Sequence, residues 1–171
     1  TEGAIRFPAV MAQANIFQLT RTKPILGREF RAEDEIIGSE KVVVIGYELW
    51  QSQFSGDNNV LKQHMRINGE KHNVVGVMPK GFLFPRNAQI WLPLQIDPKH
   101  LVRENSTTLR GLAHLKDGVT MAEVNRELSL VMKRIENQHP QTNTGIGAHV
   151  TSIPGIGGAD GAPVIYTMHT V

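Results

Sequence analysis

Residues 42–46 read VVVIG, an unbroken β-branched run of the length expected for a strand buried on both faces. Upstream, AIRFPAVMAQ (4–13) predicts a strand that Pro8 confines to an edge or bulge, and ANIFQLT predicts a short helical turn closed by Pro24. ILGREF leads into AEDE (32–35), which reads as a solvated acidic loop. After VVVIG the period changes to helical: Tyr47, Trp50 and Phe54 share one face over about two turns, with Gly56 placed as the C′ residue, and core packing is the expected use of that stripe. VLKQHMRINGEKHNVVGVMP (60–79) is a hairpin. Its Asn68-Gly69 pair suits the positive φ values of a type I′ turn, Met65 and Ile67 alternate along the first arm, and Val74, Val75 and Val77 make the second arm deeper. GFLFP follows as a loop, and in IWLPL (90–94) Pro93 predicts an edge strand.

The last third reads strand–helix–strand. LRGLAHLK (109–116) turns at Asp117-Gly118 into a helix over 121–138, with Thr120 as N-cap and Glu123 three residues on as a capping box. Val119 and Val124 are placed to form a hydrophobic staple, and Met121, Val124, Leu128, Val131, Met132 and Ile135 are expected to form one apolar stripe. His139-Pro140 stops the helix, IGAHVTSI (146–153) is a further strand, and GIGGADGAP is a linker.

Composition narrows function mainly by exclusion. Across 171 residues, 40% are hydrophobic and 20% charged, ordinary for a globular chain of one large domain or two small subdomains. The net charge of +2 comes from scattered Lys and Arg rather than a basic stripe, which does not suit nucleic acid. The chain has no cysteine, so disulfides, thiolate metal sites and Cys nucleophiles are out. The seven histidines form neither H-x-x-x-H nor H-E-x-x-H, so no metal is expected. GIGGADG (155–161) has the wrong spacing for a dinucleotide loop, G-x-S-x-G is absent, and no cofactor is expected. Asp34 with Glu33 or Glu35 is a candidate acid pair, but consecutive carboxylates in a polar loop are expected to be solvated. Phe82, Leu83 and Phe84 are the candidate apolar contact surface; the alternative is a loop tucked onto the core. No catalytic residue is assigned.

In order along the chain, ANIFQLTRTKPILGREF, VVVIGYELWQSQFSGD, RINGEKHNVVGVMPKGFLFP, IWLPL and LAHLKDGVTMAEVNRELSLVMKRIENQHP resemble the periplasmic core domain of MacB-type ABC transporter permeases. Within that FtsX-like superfamily the likeness is to permeases encoded without a fused ATPase, over residues 14 to about 153. Gln63 and Thr20 depart from the family pattern, each where Gly is common.

The resemblance implies an α+β fold with mixed sheets: a β-rich Sabre-like subdomain and a porter-like β-α-β subdomain. It divides the chain into an N-terminal strand and helical turn joining the subdomains (1–19), the Sabre-like part (20–100), a porter-like strand–helix–strand half (101–154), and a linker towards a transmembrane helix (155–171). Family cores usually carry another β-α-β segment ahead of the position of Thr1, so a trimmed or shortened relative is expected. The implied protein is a non-enzymatic extracytoplasmic domain, membrane-anchored at the inner membrane in the full-length permease. It would couple a cytoplasmic ABC ATPase subunit to export or mechanotransmission, with a permease dimer and a periplasmic adaptor as further partners. Two rivals remain: a free-standing periplasmic binding protein for a lipid or peptide, and a hydrolase using His114 or His149 with a distant carboxylate.

Overall fold

Residues 5–97 and 110–152, and the backbone of residues 163–170, are described by the structure, a computed structural model. The chain divides into two units, Thr1–Gln18 with Thr22–Asp97 and Leu19–Arg21 with Pro98–Val171.

The first unit runs β1 (Ala9–Ala12), α1 (Ile16–Leu19), β2 (Leu26–Gly27), a 3₁₀ turn (Ala32–Glu35), β3 (Val42–Ile45), α2 (Tyr47–Phe54), a second 3₁₀ turn (Asn58–Lys62), β4 (His64–Ile67), β5 (Glu70–Val77) and β6 (Ile90–Pro93). Its mixed six-stranded sheet has the order β1-β6-β3-β5, and the far side of β5 is shared by β4 and β2. β3 is parallel to β5 and antiparallel to β6, and all four of its residues are buried. Alternation sends Val43 and Ile45 to one face, where Leu49 and Trp50 of α2 cover them with Val60, Val74, Val77 and Ile90. The aromatic stripe on α2 is therefore core: Trp50 is buried, Tyr47 meets it edge-on at 5.6 Å, and its indole N–H donates to the Asp57 carbonyl at 2.9 Å. Gly56, with φ 66°, takes the expected position past the helix end.

The hairpin forms as expected, with Asn68 at φ 50° and Gly69 at φ 85°. Pro93, by contrast, does not put its strand at an edge, because β6 lies between β1 and β3. The ladder to β3 involves only Ile90 and Trp91, so proline's missing N–H falls beyond it. On the β1 side the next donor is Leu94, bonded to the Ala12 carbonyl at 2.9 Å.

The second unit runs β7 (Gly111–His114), α3 (Met121–Gln138), α4 (Pro140–Asn143), β8 (Ile146–Ser152) and β9 (Pro163–Thr170). β9 is antiparallel to both β7 and β8 and lies between them, so β7 and β8 run the same way as the arms of a split β-α-β crossover. The reading of 155–171 as a linker towards a membrane helix thus differs from the structure over 163–170. VIYTMHT is rich in β-branched and aromatic residues and pairs on both sides. The Thr120–Glu123 capping box closes in both directions, with Glu123 N–H donating to Thr120 Oγ1 at 3.3 Å and Thr120 N–H to Glu123 Oε2 at 2.8 Å. Two α3 side chains also hold β8 and its approach: Asn125 Oδ1 accepts from Val150 N–H at 2.8 Å, and Glu136 Oε1 from Gly145 N–H at 3.1 Å. One stripe residue is misplaced by the sequence reading. Val131 is 45% exposed, whereas Asn125 occupies the half-buried face through its bond to β8.

Gly76 shows how tightly β2 is seated. β5 bulges at Val75, and a Cβ on Gly76 would overlap the Arg28 carbonyl oxygen. Gly76→Ala is expected to cost about 1–3 kcal/mol in a denaturant titration; an unchanged midpoint would show that Arg28 can retreat at no cost.

Candidate functional site

The loop after β5 is anchored before it reaches its aromatics. Met78 is fully buried and its N–H donates to the Ile45 carbonyl at 2.8 Å; Phe82 N–H then closes a turn onto the Pro79 carbonyl at 3.1 Å. The return is fixed by Ala88 N–H on the Leu83 and Pro85 carbonyls, each at 3.0 Å, and by the Trp91 indole N–H on the Phe84 carbonyl at 2.9 Å. Within this frame the three candidate residues separate. The Phe82 ring centroid lies 5.4 Å from that of Trp91 and 6.1 Å from that of Phe17, and Phe17 in turn meets Phe30 at 5.5 Å. Phe82 and Phe84 are half-buried, while Leu83 is 39% exposed. Leu83 is thus the apolar tip of a loop seated on an aromatic cluster.

The acidic stretch is the second place where side chains converge. Ala32–Glu35 is a 3₁₀ turn rather than a solvated loop, and Asp34 is buried. Its carboxylate accepts from both terminal nitrogens of Arg28, at 2.6 and 3.0 Å, and from the Arg31 N–H at 2.8 Å. Gln95 Nε2, beyond β6, reaches the Asp34 carbonyl at 2.9 Å, the Ile36 carbonyl at 3.1 Å and Ser39 Oγ at 3.1 Å. Glu35 Oε1 accepts from the Ala14 N–H. Burial alone would push the Asp34 carboxyl up, but the Arg28 and Arg31 hydrogen bonds outweigh it and hold it below the usual carboxylate range. The Arg28 guanidinium is raised, first by its hydrogen bond to Asp34. Three hydrogen bonds on its carboxylate, two of them from Arg28, make Asp34 a structural tie.

Arg28, Ser39 and Gln95 were not legible as a group in the sequence, because Gln95 lies 61 residues from Asp34. The local signal was an Asp placed three residues after Arg31, half of a capping arrangement.

The histidines go to separate places. His72 is buried with Nδ1 3.1 Å from the Glu70 carbonyl, His114 Nε2 lies 2.7 Å from the Leu19 carbonyl, and His149 is exposed on β8. Among the described residues no group of three or more His, Asp or Glu could hold a metal ion, and no helix is long and apolar enough to cross a membrane.

A family model described as the MacB-like periplasmic core domain matches residues 3–131. Among solved structures, the crystal structure of the periplasmic region of MacB from Actinobacillus actinomycetemcomitans is similar, with a TM-score of 0.54 at 15% identity. The likeness covers 79% of this chain and 58% of that one, and at this identity it shows the fold. In sequence, no protein of curated function matches the chain.

Two outcomes follow from the geometry. Phe82→Ala should destabilise the first unit by about 2–4 kcal/mol, whereas Leu83→Ser should stay within about 0.5 kcal/mol; equal effects in thermal melts would contradict the split between core and tip. For Asp34, the folded carboxyl lies below its unfolded value, so its stabilisation is complete above the ordinary carboxylate range and is lost as pH falls through the folded pKa. Asp34→Asn is expected to be less stable than the parent by about 1.5–3 kcal/mol at neutral pH, with the gap narrowing in acid. A constant gap would mean that the charge contributes nothing.

Proposed function

Because the chain belongs to the MacB-like periplasmic core domain family, we propose that it serves as the extracytoplasmic domain of an ABC transporter permease and performs no chemistry of its own. The match over residues 3–131 is the observation that carries this reading. Energy would enter from a cytoplasmic ATPase subunit. This domain would pass movement of the membrane helices to whatever lies outside, either as export or as mechanical work on a periplasmic adaptor. The full-length permease would hold it on the outer side of the inner membrane, in a permease dimer.

The packing suits a transmitting part. The six-stranded unit, in the Sabre-like role, has a strand buried on both faces, an aromatic cluster behind the Phe82 loop and an Arg28–Asp34–Gln95 tie between connections. Such a body moves as a whole rather than deforming. The three-stranded unit, in the porter-like role, carries the split β-α-β crossover. Leu83 is the side chain on this surface offered for contact with a partner or an apolar substrate.

The test is made in the full-length permease with its ATPase subunit, reconstituted in membranes. Excising this domain should abolish transport or partner activation while the basal ATPase rate changes by less than about threefold. Leu83→Ser should reduce coupled activity with no change in melting temperature. Coupled activity that survives excision would overturn the proposal and favour a separate binding role for the domain.

A further inference from the structure

Asn68 is the one asparagine of this chain that a glycine follows. The pair makes the turn of the β4–β5 hairpin and both residues are exposed, with Asn68 at φ 50° and Gly69 at φ 85°. A Cβ added to Gly69 would meet nothing within 4 Å, so the space around this peptide is open. Among the described residues no hydrogen bond holds the Asn68 side-chain amide or the Gly69 N–H. In the sheet β4 pairs with β5 alone, so this end of the hairpin opens at a local cost rather than a global one. The electrostatics favour a new anion here. Arg66 Nη1 already lies 3.4 Å from the Gly69 carbonyl oxygen. Arg66 also stands directly opposite Lys71 in the ladder, both are exposed, and among the described residues neither forms an ion pair. Like charges set opposite each other are unfavourable, and a carboxylate at the turn would offset them.

We propose that Asn68 is a site of spontaneous deamidation, a modification that writes a carboxylate into the hairpin turn beside Arg66 and Lys71. As the turn opens, the Gly69 backbone nitrogen gives up its proton and bonds to Asn68 Cγ, and the side-chain amide leaves as ammonia. A cyclic succinimide remains. Water then opens the ring at one carbonyl to leave aspartate, or at the other to leave isoaspartate, whose main chain runs through the former side-chain methylene. No oxidant or reductant takes part. Glycine favours the attack because it brings no Cβ against the forming ring. The two products differ in structure. Asp-Gly suits a type I′ turn as Asn-Gly does, so the aspartate form keeps the hairpin. Isoaspartate lengthens the main chain by one carbon inside a two-residue turn, so β4 is released while β3 keeps β5 and β6. None of this rests on the permease reading.

The test holds the folded 171-residue chain in mildly alkaline buffer and follows each asparagine by peptide mass spectrometry. Asn68 should convert about tenfold faster than Asn58 and Asn59, which are also exposed but are followed by larger residues. The aspartate and isoaspartate forms are then separated by chromatography and compared by amide hydrogen exchange. The aspartate form should match the parent across β4, whereas the isoaspartate form should lose protection in β4 and keep it in β3. Conversion of Asn68 no faster than that of Asn58 and Asn59 would overturn the assignment. So would fast conversion seen only after unfolding in urea, since the folded turn would then be closed to attack. Unchanged β4 protection in the isoaspartate form would overturn the release of that strand.

Discussion

A strand with water on neither face has nowhere to place a polar group, and β3 imposes that constraint on the whole first unit. Its side chains must be apolar on both sides, and they are: Val42, Val43, Val44 and Ile45. Its backbone must be paired on both edges, which makes β5 and β6 obligatory neighbours. Each face then needs its own cover. Leu49 and Trp50 of α2 provide one, and Trp91 belongs to the aromatic group with Phe17 and Phe82 that is held apart from that cluster. The loop at Phe82 is therefore part of the same packing problem, and its freedom ends where Phe82 turns inward.

Polar ties complete what the apolar layers leave loose. The connection from β2 to β3 is long, yet Asp34 gathers Arg28 and the Arg31 N–H on its carboxylate, while its carbonyl takes Gln95 from beyond β6. Because the carboxylate is buried, each of these bonds is made in a setting where leaving it unmade would be costly. In the second unit Asn125 and Glu136 do related work, tying one helix to the main chain at and before β8.

Elements whose causes are local were legible in the sequence. The β-branched run, the Asn68-Gly69 hairpin, the Thr120–Glu123 box and the aromatic stripe on α2 each depend on neighbours within a few residues, and each formed where its pattern stood. The readings that differed were decided at long range. Pro93 marks an edge only if both ladders run its full length, and the β3 ladder stops short of it. Val131 fits an apolar stripe by spacing but stands 45% exposed, while the polar Asn125 is half-buried with its Oδ1 on the Val150 N–H. Residues 163–170 carry no local sign that two strands wait on either side. The candidate surface was readable only as composition. Three consecutive apolar residues do not say which of them the rest of the chain will claim.

The pairing of the first and last strands of the six-stranded unit has a mechanical meaning. β1 and β6 are parallel neighbours in the register Ala9–Ala12 against Ile90–Pro93. Tension entering ahead of Ala9 and leaving after Pro93 pulls the two strands in opposite directions along their length. The ladder is then loaded in shear, so its hydrogen bonds give way together instead of unzipping one at a time. Resistance to such a pull is set by the unfolding barrier rather than by equilibrium stability. Along β1 and β6 the fold thus meets such a pull with a whole ladder at once.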